Sequence, residues 1–162
     1  MAAPRLLSLA LPLLLPRAVR WCQTLAADVA ARGAPLLPAA LADARAVGVA
    51  RPELIRVLVV DVMPSPRDVL LGPAAAAIGF LGSDTAGLAL GYAIFVRRGR
   101  LSRRLLSHEC RHVAQCEAAG SLAAFLEHYL RELVAVGYEA CSFEVDARAH
   151  ELKNGDLRWR GI

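Results

Sequence analysis

Leu106-Ser107-His108-Glu109-Cys110-Arg111-His112-Val113-Ala114-Gln115 is the stretch of this chain that decides how the rest is read. Residues four apart on a helix lie one above the other. His108 and His112 are therefore spaced to share one metal ion, with Glu109 beside them as a general base. The chain has only four His, and residue frequencies alone put such a pentad in roughly one chain of this length in two hundred. Leu105, Leu106, Val113 and Ala114 flank the pair with the apolar spacing of a core helix, which argues against a surface histidine pair.

Two imidazoles rarely hold zinc alone at a catalytic centre, so the reading requires a third protein ligand and an open position for water. Glu144, Asp146 and His150 are the downstream candidates. Glu144 lies in the first turn of a last helix. Ala147, one turn on, is small enough to let that helix lie close against the metal helix, so Glu144 is the favoured ligand. Asp146 and His150 read as a helix-face pair or as hydrogen-bond support for the ligands. An oxyanion donor would come from Tyr138, His128 or Tyr92. Tyr129 reads as core.

Working outward, the pattern predicts helices over 17–31 and 39–47, separated by Gly33, Pro35 and Pro38. A buried strand follows over 54–60, then an ambiguous apolar tract over 74–80 and an alternating strand over 88–96. The metal helix runs from Ser102 or Leu105 to Ala118 and ends at Gly120. Ser121 caps the next helix, whose apolar residues Leu122, Phe125, Leu126, Tyr129, Leu130, Leu133 and Val134 keep one face until Gly137. Ser142 is placed as the cap of a last helix over 143–152, with turn and charge signals beyond Asn154-Gly155.

The 162 residues are about one domain's worth of chain, read as an N-terminal helical segment, 1–44, packed on a metal-binding domain, 45–162. The run Leu6 to Leu15 is broken by Ser8 and Pro12 and is too short to span a bilayer. With Arg5 before it and Leu25-Ala26-Ala27 after it, the run has the outline of an export signal. Arg17, Arg20 and Trp21, however, stand where a cleavage region is small and uncharged. A buried or amphipathic first helix and a cytoplasmic location are expected, with export as the alternative. Cys22, Cys110, Cys116 and Cys141 form no CxxC pair and read as free, mostly buried thiols. The net charge of +4 gathers in Arg97, Arg98, Arg100, Arg103 and Arg104. Without interleaved aromatics this reads as a solvated loop, and no nucleic-acid partner is expected.

The assembled pattern resembles the gluzincin type of zinc metallopeptidase, in which HExxH on one helix is completed by a Glu on a later one. The matching residues are His108, Glu109, His112 and Glu144. Many members carry ExxAD at the third ligand; here Glu144 and Ala147 match and Arg148 replaces the Asp. The metal helix is also similar to the HELxHVxQ helix of small bacterial zincin-like domains, with Leu88-Ala89-Leu90-Gly91-Tyr92 before it and Phe143-Glu144-Val145-Asp146-Ala147-Arg148 after it. The likeness covers roughly residues 45–152. Cys110 stands in place of the usual Leu, and Arg111 in place of an uncharged residue, directed to solvent or to a carboxylate.

This resemblance implies an α+β zincin-like minidomain, with a small β-sheet packed on the HExxH helix and further C-terminal helices closing the other side. It implies Zn2+ held by His108, His112 and Glu144, and hydrolysis of a peptide or protein substrate with Glu109 as general base. The 88–96 strand would offer its edge to an extended peptide. The competing expectation is a non-catalytic zinc module with a structural or interaction role, whose site would be closed by four protein ligands.

Overall fold

A computed structural model describes residues 3–78, 82, 84–153 and 162. In chain order they form α1 (Ala3–Arg32), β1 (Ala34–Pro35), α2 (Pro38–Ala46), β2 (Arg56–Val60), α3 (Leu71–Ala77), β3 (Gly87–Leu90), β4 (Ala93–Arg97), α4 (Arg103–Ala119), α5 (Leu122–Val136) and α6 (Ser142–Ala149). The fold is α+β, with a mixed four-stranded sheet in the order β1-β2-β4-β3. β2 and β4 are parallel, while β1 on β2 and β3 on β4 are antiparallel.

Successive side chains of a strand point to opposite faces, and here both faces are covered. Leu88, Leu90, Ala93 and Phe95 pack under α1 and α5 with Cys22, Val29, Leu126, Tyr129 and Leu133. Val57, Ala89, Ile94 and Val96 pack against α2 and α4 with Ala40, Ala44, Leu106, Cys110 and Val113. A strand buried on both faces reads as a nearly continuous apolar run, which is what Ala93-Ile94-Phe95-Val96 shows. The α5 helix thus shares the face opposite α4 with α1, whereas α6 packs on α4 itself.

The expected single strand over 88–96 is a hairpin. Gly91 and Tyr92 make its two-residue turn, with Gly91 at φ +63, a backbone region glycine enters without steric cost. Leu90 and Ala93, which flank the turn, are partners across the hairpin. The turn therefore shifts the phase of the alternation: Leu88 and Leu90 face one side of the sheet, and Ile94 and Val96 the other. As a result β4 lies inside the sheet between β2 and β3, and of the two hairpin strands only β3 lies at an edge.

Other boundaries also move. The helix expected over the Leu6 to Leu15 run and the one expected over 17–31 are a single helix that starts at Ala3 and runs through Pro12 and Pro16. Leu7, Leu11 and Leu14 lie against Leu71, Ala74 and Ile78 from α3 and its end, and that tertiary packing sustains the helix despite the lost backbone bonds. The strand expected at 54–60 begins at Arg56, because Pro52–Leu54 is a turn of 3-10 helix. The ambiguous tract is helical as far as Ala77, and residues 79–80 fall outside the described set, as does the Asn154-Gly155 turn. The last helix stops at Ala149, short of 152.

Ser102 caps α4 by accepting from the Leu105 amide, and Ser121 caps α5 by accepting from that of Ala124. Ser142 does not cap α6. It is the first helical residue, and both its amide and its hydroxyl donate to Glu132 of α5. This tie fixes the start of α6 against α5.

Ala147 is fully buried in α6, which packs on α4. Ala147→Leu is expected to destabilise the fold by about 1–3 kcal/mol through overpacking. The change would be read as a lower urea midpoint at unchanged slope.

Candidate metal centre

His108 and His112 project from α4 on one face, and Glu144 reaches them from the first turn of α6. All three are buried. The two Nε2 atoms are 3.2 Å apart. Glu144 places Oε2 3.4 Å from His108 Nε2 and Oε1 3.3 Å from His112 Nε2. Among the described residues these three side chains form a group able to hold a metal ion. Asp146 and His150, the other ligand candidates, lie outside it.

Hydrogen bonds on the far side of each ring fix which nitrogen carries a proton. His108 Nδ1 lies 3.1 Å from Glu151 Oε1, a carboxylate that can only accept. His112 Nδ1 lies 2.8 Å from Gln115 Oε1. The Gln115 amide nitrogen donates to the Phe143 carbonyl (2.9 Å) and to Asp146 Oδ2 (2.7 Å), so the atom facing His112 is the carbonyl oxygen, an acceptor. Both rings therefore hold their proton on Nδ1 and turn an Nε2 lone pair toward Glu144. Glu144 Oε2 has no hydrogen-bond donor although it is buried. Three electron-rich groups converge on a point with no proton of their own between them, an arrangement that a cation satisfies.

The support extends further. Asp146 takes two bonds from Arg111, at 2.7 and 3.1 Å, so the cation that departs from the familiar helix pattern points to a carboxylate and also donates to the Val47 carbonyl. Arg148 does not support a histidine; it donates to the Glu139 carbonyl and lies over the Tyr138 ring. The partner that ExxAD would supply comes from Glu151, which is also ion-paired with Arg104. Tyr129, read as core from its spacing, is buried, yet its hydroxyl donates to Glu144 Oε1 at 2.7 Å. A tyrosine on an otherwise wholly apolar buried face was the available signal, since a buried phenol needs a partner.

The electrostatics follow. Burial acts to raise the Glu144 carboxyl, but the two imidazoles facing it and the hydrogen bond from Tyr129 outweigh it and hold the group well below the usual carboxylate range. Burial acts to lower His112, but its contact with Glu144 and the charge of Glu109 win and raise it. Burial pushes Glu109 up. The site keeps Glu144 ionised and attracts positive charge.

Glu109 is buried beside the group and accepts from the Ala89 amide of β3. Leu90–Ala93 and Leu88–Phe95 are hairpin pairs of one parity, and Ala86 accepts from Arg97 in the same parity. Gly87 and Ala89 therefore turn their backbone groups to the open edge. A Cβ on Gly87 would stand 2.3 Å from Glu109 Oε1, so glycine there is what lets the carboxylate lie against the strand.

These groups line a cleft of about 550 Å³, walled by Leu88, Leu90, Leu105, Phe125, Leu126 and Tyr138. Of the three candidate oxyanion donors, Tyr138 lies at this cleft, where burial and then the neighbouring Glu144 push its phenol up. Tyr92 instead donates to Glu117 and accepts from Arg51. The cleft's lining does not include His128. The arginine cluster is largely committed to carboxylates: Arg98 to Asp61, Arg103 to Asp43 and Arg104 to Glu151. All four cysteines are free and buried.

Comparison with protein-family models, with curated proteins and with solved structures gives no match. The site therefore has to be judged on its own geometry.

Gln115→Ala and Glu151→Gln each remove the acceptor or its charge behind one ring. Each is expected to weaken metal affinity about 10–100-fold while leaving the fold intact, as measured by competition with a chromogenic chelator.

Proposed function

We propose that this protein is a zinc-dependent metallopeptidase of the gluzincin kind. The observation that carries the reading is the donor triangle of His108, His112 and Glu144, open on one side to a cleft. Tetrahedral zinc with bonds of about 2.0–2.1 Å has ligand edges of about 3.3–3.4 Å; the two Nε2 atoms are 3.2 Å apart, and the Glu144 carboxylate spans them, with Oε2 3.4 Å from His108 and Oε1 3.3 Å from His112. A structural zinc site is closed by four protein ligands, whereas a catalytic one keeps a position open; among the described residues the group has three members.

Zinc held there supplies Lewis acidity, acidifying a water and polarising a carbonyl. The chain's own residues do the rest. Glu109 takes the proton of the attacking water on its carboxylate and passes it to the leaving amine. Tyr138, which lines the cleft, donates to the developing oxyanion in this reading. The outward backbone groups of Gly87 and Ala89 align an extended peptide along β3, in place of the longer edge expected over 88–96. The apolar walls from Leu88, Leu90, Phe125 and Leu126 accept an apolar side chain and exclude water around the reacting bond.

Elemental mass spectrometry after dialysis against a weak chelator is expected to find about one zinc per wild-type chain and far less in Glu144→Ala. Equal metal in both would remove Glu144 from the ligand set. Glu109→Gln is expected to keep the zinc and lose hydrolysis of a peptide library by about 10²–10⁴-fold; unchanged turnover would sink the general-base role.

Gly87→Ala is expected to resemble Glu109→Gln, with metal retained and turnover reduced, because the added methyl displaces the carboxylate and not the ligands.

A further inference from the structure

The first half of α1 carries an apolar stripe that faces away from the core. Leu6, Leu9 and Leu13 are 65%, 78% and 78% exposed. Their spacing of three and four places them on one helix face, and the same face continues into the exposed Arg17 and Arg20. Single exposed leucines need no explanation, but a contiguous patch does.

A second apolar segment lies beside it. Arg17 pairs with Asp68 at 3.0 Å, which brings the next residues, Val69 (85% exposed) and Leu70 (52%), alongside α1. Between the two lips runs a groove lined by Leu7, Leu11, Leu14, Leu71, Ala74 and Ile78, almost wholly apolar.

The charge around this patch is positive on balance. Residues 1–27 hold three arginines and no Asp or Glu. Arg17 and Asp68 neutralise each other, which leaves Arg20 and Arg67, both exposed, as the cations beside the patch. A helix with leucines on its outer face, prolonged by arginines and without carboxylates, is built to lie in the interface of an anionic bilayer. Its leucines enter the acyl boundary while its guanidinium groups reach phosphates. Among the described residues no helix is long and apolar enough to cross a membrane, and the contact inferred is a lateral one.

We infer that the protein docks on anionic membrane surfaces through the Leu6, Leu9 and Leu13 face of α1 together with Val69 and Leu70. The metal centre takes no part in this contact. Leu126 of α5 borders both the cleft and the apolar groove, so docking holds the cleft at a fixed position relative to the lipid surface.

The test is co-sedimentation of the full chain, its N-terminus verified by intact mass, with phosphatidylcholine vesicles with and without phosphatidylglycerol. Wild type is expected to bind the anionic vesicles about tenfold or more tightly than the neutral ones, and to be released as salt is raised. The double variant Leu9→Ser/Leu13→Ser and the charge reversal Arg20→Glu are each expected to lose about tenfold or more in binding. Both alter exposed side chains only, and an unchanged thermal midpoint and zinc content would show that the fold is intact.

Failure of wild type to bind anionic vesicles overturns the inference, as does binding by the double variant equal to wild type. A wild-type dimer that the double variant converts to monomer, without vesicle binding, would give the face to a second copy of the chain and overturn it equally.

Discussion

Everything at the centre of this molecule depends on one electrostatic demand: two imidazole lone pairs and an ionised carboxylate are held within 3.4 Å of one another in a buried place. Such groups repel unless positive charge sits among them, and burial removes the water that would otherwise screen them. The surrounding structure is arranged to prevent the alternative, in which the rings rotate away or take up their own protons on Nε2. Glu151 and Gln115 hold the rings by Nδ1, and Tyr129 holds the carboxylate. A chain folded in this way can hold a cation among these groups, and any cation bound there would add its binding free energy to the stability of the fold.

The hydrogen-bond chain behind His112 also accounts for the sequence's departures from the pattern it resembles. Arg111 grips Asp146, Asp146 accepts from Gln115, and Gln115 accepts from His112. A charged residue inside the pentad is thereby neutralised, and it draws α6 onto α4, which delivers Glu144. Cys110, on the opposite side of α4, is buried against the sheet, where desolvation and the charge of Glu109 push its thiol up and keep it inert. Both substitutions are consistent with a working ligand set.

The grouping of His108, His112 and Glu144 beside Glu109 was legible in sequence because it needs one short helical motif plus one carboxylate with a small residue a turn away. The α4 and α5 helices were legible because Ser102, Gly120, Ser121 and Gly137 mark their ends chemically. The hairpin was not. A two-residue turn preserves an apparent alternation while reversing which face each residue takes, and Gly91 alone does not distinguish a turn from a close approach. The first half of α1 was legible as a helix, but not its continuity with 17–31, because Pro12 and Pro16 mark breaks on local grounds that packing against α3 overrides. Glu151 and Tyr129 escaped because their roles depend on what stands opposite them in space, which no periodicity encodes.

The contact between Glu109 and Ala89 has a bearing on the protein's colloidal behaviour. An open strand edge invites another chain to pair with it, and proteins that keep one blunt it by shortness, charge or cover. Here the edge strand has only four residues, Gly87–Leu90, and one of its two outward amides is already taken by a carboxylate rooted in the neighbouring helix. A stray strand arriving there finds too few partners to nucleate a ladder, whereas a peptide that the cleft also grips would need only the few that remain. The same acidic side chain that would move protons also keeps the edge from pairing with a second copy of itself.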